Sequence, residues 1–329
     1  MNIQNLPKIE LHLHLDCSLS FEVVKQLRPE TTHEDYKRDF IAPENCSSLE
    51  EYLQCAQAPV AIMQTKDQLE AVTLDLFKQL KADNVIYAEI RFAPLLHTEQ
   101  GLTPEEIVKT VDEATTKGIK QSGVEARIIL CTLRHFSEEQ SMRTVKLVEH
   151  FQGTNVTGFD IAADETLPIE NHIKAFEYAH EHDIPCTAHA GEARGPDSVK
   201  ETMQHFHPSR IGHGVRSLED PELLDELKDK NIHMEVCPTS NVQTGIYDSV
   251  AQHRINEIYL NGNSLSVNTD GRTISNVSLT DEYEKLHKYF DWHKEQYLRV
   301  NQFAIDAAFC DEETKEKIRG KLSDGFKMT

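Results

Sequence analysis

Positive charge is scarce in this chain: 34 lysines and arginines stand against 55 aspartates and glutamates, a formal charge of −21. Such a surface repels a phosphate backbone and an anionic bilayer, which argues against nucleic acid or membrane as a partner. No apolar run approaches the length needed to span a bilayer, and the N-terminus enters a strand with no basic n-region and apolar h-region before it. The seven cysteines are scattered and none stand as Cys-x-x-Cys, so no disulfide framework is expected. These absences predict a cytoplasmic protein in a reducing compartment. Internal repeats, low-complexity tracts and linkers are missing as well, and 329 residues are enough for one α/β barrel, so a single domain over 1–329 is expected.

What is present is a regular alternation of strand and helix. Apolar or alternating runs predict strands at 9–16, 85–92, 125–132, 156–162, 184–190, 210–214, 232–237 and 264–270, each after the first preceded by a helical stretch. Eight such units predict a parallel sheet closed into a (β/α)8 TIM-type barrel. Extra helices are expected after strand one, at about 19–82, and at the C-terminus, at about 277–320. Within the first insertion 29–45 reads as polar and irregular, and the helical stretch Ser48 to Met63 is a candidate lid. The run Asp311-Glu312-Glu313 opens a helix and reads as solvated surface.

In these barrels the chemistry collects at the C-terminal ends of the strands. In strand one, Ile9-Glu10-Leu11-His12-Leu13-His14-Leu15-Asp16 places Glu10, His12, His14 and Asp16 on one face and four apolar residues on the other. Two imidazoles at that spacing can reach one zinc ion or a neighbouring transition metal. Strand four ends in Asp160, Asp164 and Glu165, strand five in His189 and Glu192, strand six in His213 and strand eight in Asp270. His12, His14, His189 and Asp270 can converge on one ion, with His213 less firmly placed. The other thirteen histidines read as surface residues. Glu192, on the turn His-Ala-Gly-Glu, is placed both to move a proton and to balance a helix dipole. The zinc deaminases built on His-x-Glu followed by Pro-Cys-x-x-Cys are excluded, because nothing of that second form follows His233-Met234-Glu235.

LHLHLD (11–16), HAGE (189–192), RIGHG (210–214), CPTSN (237–241) and SLSVNTD (264–270), with YAEIRFAP (87–94) and DIAADE (160–165), resemble the ordered motifs of the adenosine deaminase family of the amidohydrolase superfamily. The resemblance implies hydrolytic deamination of adenosine and 2'-deoxyadenosine to inosine or its deoxy counterpart plus ammonia, by attack of metal-bound hydroxide on purine C6. One Zn2+ would be held by His12, His14, His189 and Asp270. Glu192 would protonate N1, His213 would orient and stabilise the hydroxide, and Asp270 would also take its proton. His14 and Asp16 would meet the ribose side of a small purine nucleoside, Asp16 at its hydroxyl. Three positions depart from the pattern. Gly271 stands where many members carry a second aspartate for purine N7, Ala163 where a glycine N–H meets N3, and Cys17 where the first motif has glycine. Cys17 reads as a small buried residue rather than a ligand. Gly271 leaves open a deaminase of adenine or of a modified adenine nucleotide, with Arg272 as the candidate for a phosphate. An amidohydrolase acting on an ester, amide or lactone is the more distant alternative. The choice between monomer and homo-oligomer stays open.

Overall fold

The alternating segments form eight parallel strands in a computed structural model that describes residues 2–328. They are β1 (Lys8–His14), β2 (Val85–Phe92), β3 (Glu125–Leu133), β4 (Val156–Ala162), β5 (Thr187–Ala190), β6 (Arg210–His213), β7 (His233–Val236) and β8 (Leu265–Val267). They pair in two runs, β1 to β4 and β5 to β8. Both seams between the runs are bridged. At one, Phe159 pairs with Cys186 and its N–H donates to the Pro185 carbonyl at 3.0 Å. At the other, Leu13 pairs with Asp270, His14 N–H donates to the Asp270 carbonyl at 2.7 Å, and Asp270 N–H donates to the His12 carbonyl at 3.1 Å. The sheet is thus the expected (β/α)8 barrel.

The helices that wrap it start on side-chain caps. Thr65 with Gln68, Thr103 with Glu106 and Ser137 with Gln140 form reciprocal capping boxes that satisfy first-turn N–H groups. From the first of these caps runs the helix Lys66–Ala82, whose Leu69, Val72, Leu76 and Leu80 are fully buried. This is the amphipathic stripe that docks a crossover helix on a barrel.

The insertion after β1 differs from expectation. Residues 29–45 contain a helix, His33–Phe40, started by a Thr32/Asp35 capping box that the polar composition obscured. The candidate lid is two short helices, Leu49–Gln54 and Gln57–Val60, rather than one. Pro59 has no N–H to offer the Cys55 carbonyl, so a continuous helix cannot pass that point. β5 and β8 are shorter than their hydrophobic runs, and Asp270 lies beyond β8 on the seam itself. Beyond β8 the chain forms helices Leu279–Phe290, Lys294–Ala307 and Glu312–Met328. Asp311 is not merely solvated: its carboxylate pairs with Arg127 at 3.4 Å. Among the described residues no helix is long and apolar enough to cross a membrane.

Candidate metal centre and active site

β1 delivers His12 and His14 to the C-terminal mouth of the barrel, β5 delivers His189, and the turn after β8 delivers Asp270. One nitrogen of each histidine and a carboxylate oxygen of Asp270 all lie within 4.8 Å of one another. His12 Nε2 and His14 Nε2 are each 3.3 Å from Asp270 Oδ1, and His14 Nε2 is 3.3 Å from His189 Nε2. His12 Nε2 is buried and makes no properly angled hydrogen bond. A buried lone pair in that position costs free energy unless a cation meets it. Three imidazoles and a carboxylate are also the donor chemistry that suits a first-row divalent metal, so the residues fit such an ion.

A layer beneath orients these rings. His12 Nδ1 lies 2.8 Å from Glu235 Oε2 and His189 Nδ1 lies 3.2 Å from Asp160 Oδ1, which turns both Nε2 lone pairs toward the cluster. Glu235 and Asp160 are tied together by Arg91, at 2.7 and 2.8 Å, and Arg210 reaches Glu235 at 2.7 Å and Glu89 at 2.6 Å. All five charged groups are sealed inside the barrel. Burial alone would raise the Asp270 carboxyl, but the imidazoles of His12, His14 and His213 packed around it hold it well below the usual carboxylate range.

Glu192 sits beside the cluster with the opposite bias. Burial, then the charges of Asp270 and Glu165, pushes its carboxyl well above the ordinary value. Its Oε1 is buried with no hydrogen-bond partner among the described residues, and its Oε2 is 3.6 Å from His213 Nε2. Glu165 fixes the turn that carries it. The carboxylate accepts from the N–H groups of Gly191, Glu192 (2.9 Å) and Arg194 (3.0 Å) and from the Ser198 hydroxyl. Burial and the His12 charge hold His213 well below the usual imidazole range. A hydrogen-bond chain sets its tautomer. Ile255 N–H donates to His253 Nδ1 (3.0 Å), so His253 Nε2–H donates to Asn241 Oδ1 (3.2 Å). The Asn241 amide then donates to His213 Nδ1 (3.0 Å), which leaves the His213 proton on Nε2, facing the site.

Three non-glycine residues at strand ends, Ala163 (φ 74°), His213 (φ 60°) and Asp270 (φ 64°), have left-handed backbone. Such conformations cost on the order of 1–2 kcal/mol each and gather where function over-determines the chain. Next to His14 a cavity of about 390 Å³ is lined by Asp16, Cys17, Ala163 and mostly apolar groups, among them Leu53 and Val60 of the candidate lid. Asp16 lies on a short helical turn, Leu15–Cys17, not on the strand, and burial raises its carboxyl to about 6. Gly271 lies under Cys17.

Several expectations need correction. Arg272 is not at the mouth: it is buried, 2.6 Å from Glu10 and 3.0 Å from Asp83. Glu10 therefore leaves the face of His12, where the register of β1 against β2 shifts between Glu10 and Leu13. Nor are all the other histidines on the surface, since His97, His172, His233 and His253 are buried. Sequence reasoning gave no role to Glu235, Asn241 or His253. The alternation of His233-Met234-Glu235 held the signal for Glu235, but nothing local marks His253, whose link to the site runs through Asn241 on the helix Pro238–Gln243.

A barrel with this cluster at its mouth defines a metal-dependent hydrolase. The family model described as adenosine deaminase matches residues 7–325. The chain is 37% identical to an adenosine deaminase of Clostridium acetobutylicum over 98% of its own length and 100% of the relative's. Two solved structures share the fold. One is an adenine deaminase from Arthrobacter aurescens, with a TM-score of 0.90, 24% identity and 98% of this chain and 99% of that one covered. The other is an amidohydrolase from Burkholderia ambifaria with bound zinc, with a TM-score of 0.90, 22% identity and coverage of 99% and 92%. The chain belongs to the adenosine deaminase family and is a hydrolytic deaminase.

Proposed function

We propose that the protein deaminates adenosine, and 2'-deoxyadenosine, to the six-oxo nucleoside and ammonia with one zinc ion held by His12, His14, His189 and Asp270. The observation that carries the reading is Glu192, a buried carboxyl biased toward its acid form, 3.6 Å from His213 and beside a cluster fit for a cation. When bound, zinc would supply Lewis acidity and a water with pKa near about 7. The chain's own residues do the rest. Glu192 gives its proton to purine N1, which draws electrons from C6 and opens that carbon to addition. His213, neutral and carrying its proton on Nε2, donates a hydrogen bond to the incoming oxygen and holds it in line with C6. Asp270, held ionised, accepts the proton that this oxygen must lose. Asp16 receives a ribose hydroxyl, and the Ala163 N–H faces N3.

Nucleoside is favoured over nucleotide by the cavity chemistry. Among the described residues lining it there is no lysine or arginine, while Asp16 and Asp164 are both present. Inside this cavity a phosphate would meet carboxylates and find no lysine or arginine. Arg272, the basic residue the motifs offered, is already paired to Glu10 and Asp83, and Arg216 and Arg254, which line the neighbouring cavity on the Glu192 side, are paired to Glu219 and Glu257. The cysteines are all free, which fits a reducing cytoplasm.

The test is ammonia and inosine release by zinc-loaded protein supplied with adenosine, adenine or adenosine monophosphate, with Glu192→Gln alongside. Adenosine is expected to turn over fastest. The variant should lose on the order of 10²–10⁴-fold in rate while keeping its zinc. Faster turnover of the monophosphate than of adenosine would overturn the nucleoside assignment.

A further inference from the structure

Two departures from the family pattern, at 17 and 271, touch each other. A Cβ built on Gly271 would lie 2.7 Å from Cys17 Cβ and 3.1 Å from the Cys17 carbonyl oxygen, closer than carbon atoms pack. The backbone of Gly271 is not in the left-handed region, so no torsional rule demands glycine there. The excluded volume belongs to Cys17. Its side chain also lines the cavity beside His14 and Asp16, and its thiol donates weakly to Asp16 Oδ1 at 3.8 Å.

The position has a chemical meaning if the purine sits as proposed above, on which this inference rests. Glu192, at N1, follows β5, whereas Gly271 and Cys17 follow β8 and β1, neighbours across the barrel seam. In a purine, N1 is on one side of C6 and C5, which bears N7, is on the other. With C6 at the cluster and N1 at Glu192, the N7 edge is turned toward Cys17 and Gly271.

We propose that Cys17 and Gly271 form one steric unit that determines how this enzyme reads the N7 edge: the thiol side chain holds the space a residue at 271 would need, so N7 faces a small, weakly polar wall instead of a carboxyl group. The unit makes Cys17 a specificity-determining residue. N7 contributes little to recognition, and neither position can be changed alone without disturbing the other. Converting one to the family pattern is expected to fail where converting both succeeds.

The experiment is a cycle of Cys17→Gly, Gly271→Asp and the double variant, with Gly271→Ala added. Each is measured for Tm and for kcat/KM on adenosine and on 7-deazaadenosine, in which N7 is a C–H. The wild type should lose less than about tenfold on the deaza compound, because a weak thiol contact is all that is removed. Gly271→Asp and Gly271→Ala should each lower Tm when Cys17 is present and recover when it is glycine. The double variant, whose new carboxyl in its protonated form donates to N7, should discriminate against 7-deazaadenosine by roughly ten- to a hundredfold, the range for a hydrogen bond lost from a buried partner. A wild type that loses more than a hundredfold on the deaza compound, or a Gly271→Ala that keeps full Tm beside Cys17, overturns the proposal. If the wild type released no ammonia from adenosine, the functional assignment would fall, and the Tm cycle would still decide whether the two positions act as one.

Discussion

As the proposed proton donor, Glu192 must be acidic enough to give up a proton and basic enough to hold one until a purine arrives, and its surroundings set that balance. Burial and the neighbouring carboxylates of Asp270 and Glu165 favour the acid form. If Glu192 donates to N1 as proposed, the active species is the protonated one, so kcat/KM should fall as pH rises through the raised pKa of the folded state. Glu165 acts on Glu192 in two ways, by holding the turn through the N–H groups of Gly191, Glu192 and Arg194 and by its charge. Glu165→Gln removes the charge and points an amide donor at backbone donors. We expect a loss of about tenfold or more in kcat and a basic limb of the pH profile moved to lower pH, read from rates across the profile. A purely structural role for Glu165 would lower Tm and leave the limb where it is.

At the scale of elements, the barrel supplies rigidity and the insertion after β1 supplies cover. Leu53, Gln57 and Val60 from the two short helices, with Ala56 in the turn between them, form one wall of the cavity beside His14. These helices have 6 and 4 residues, too short to be stable without the packing beneath them. A purine riboside that fills the cavity adds that packing. Limited proteolysis between Leu49 and Val60 should therefore slow several-fold when the riboside is added, and equal cleavage rates with and without it would remove the lid assignment.

For the whole molecule, acid and metal removal are the informative stresses. Burial depresses His97 to about 4 and His233 and His253 to about 3, from the ordinary value near 6.5. Each is a base whose folded pKa lies below its unfolded one, so its contribution is fully present above about 6.5 and is lost as pH falls toward the folded values. At roughly 1.4 kcal/mol per unit, the three together should remove several kcal/mol between pH 6.5 and 4. Urea midpoints measured across that range would show it, and a flat profile would mean that these histidines are charged in the fold. Chelation should also lower Tm. An ion present at a thousand times its Kd stabilises the fold by about 4 kcal/mol, and its loss re-exposes the repulsion and unpaired lone pairs of the His12, His14, His189 and Asp270 cluster.

The sequence by itself determined the barrel and the identity of the residues at its mouth. Period-two and period-3.6 hydrophobicity are local properties, and a strand's side chains alternate wherever the strand ends up, so His12, His14, His189, Glu192, His213 and Asp270 could be read from strand ends alone. Only the tertiary structure decided what each group experiences. Arg272 looks like a free cation beside Asp270 but is consumed by Glu10 and Asp83, and Asp83 is nearly two hundred residues away in the chain. His253 sits in a loop yet fixes the proton of His213 through Asn241. Cys17 and Gly271 are ordinary residues until closure of the β8–β1 seam presses one against the other. Charge pairing, tautomer and steric exclusion depend on distances between segments that the chain order does not contain, and the closing of the barrel sets those distances.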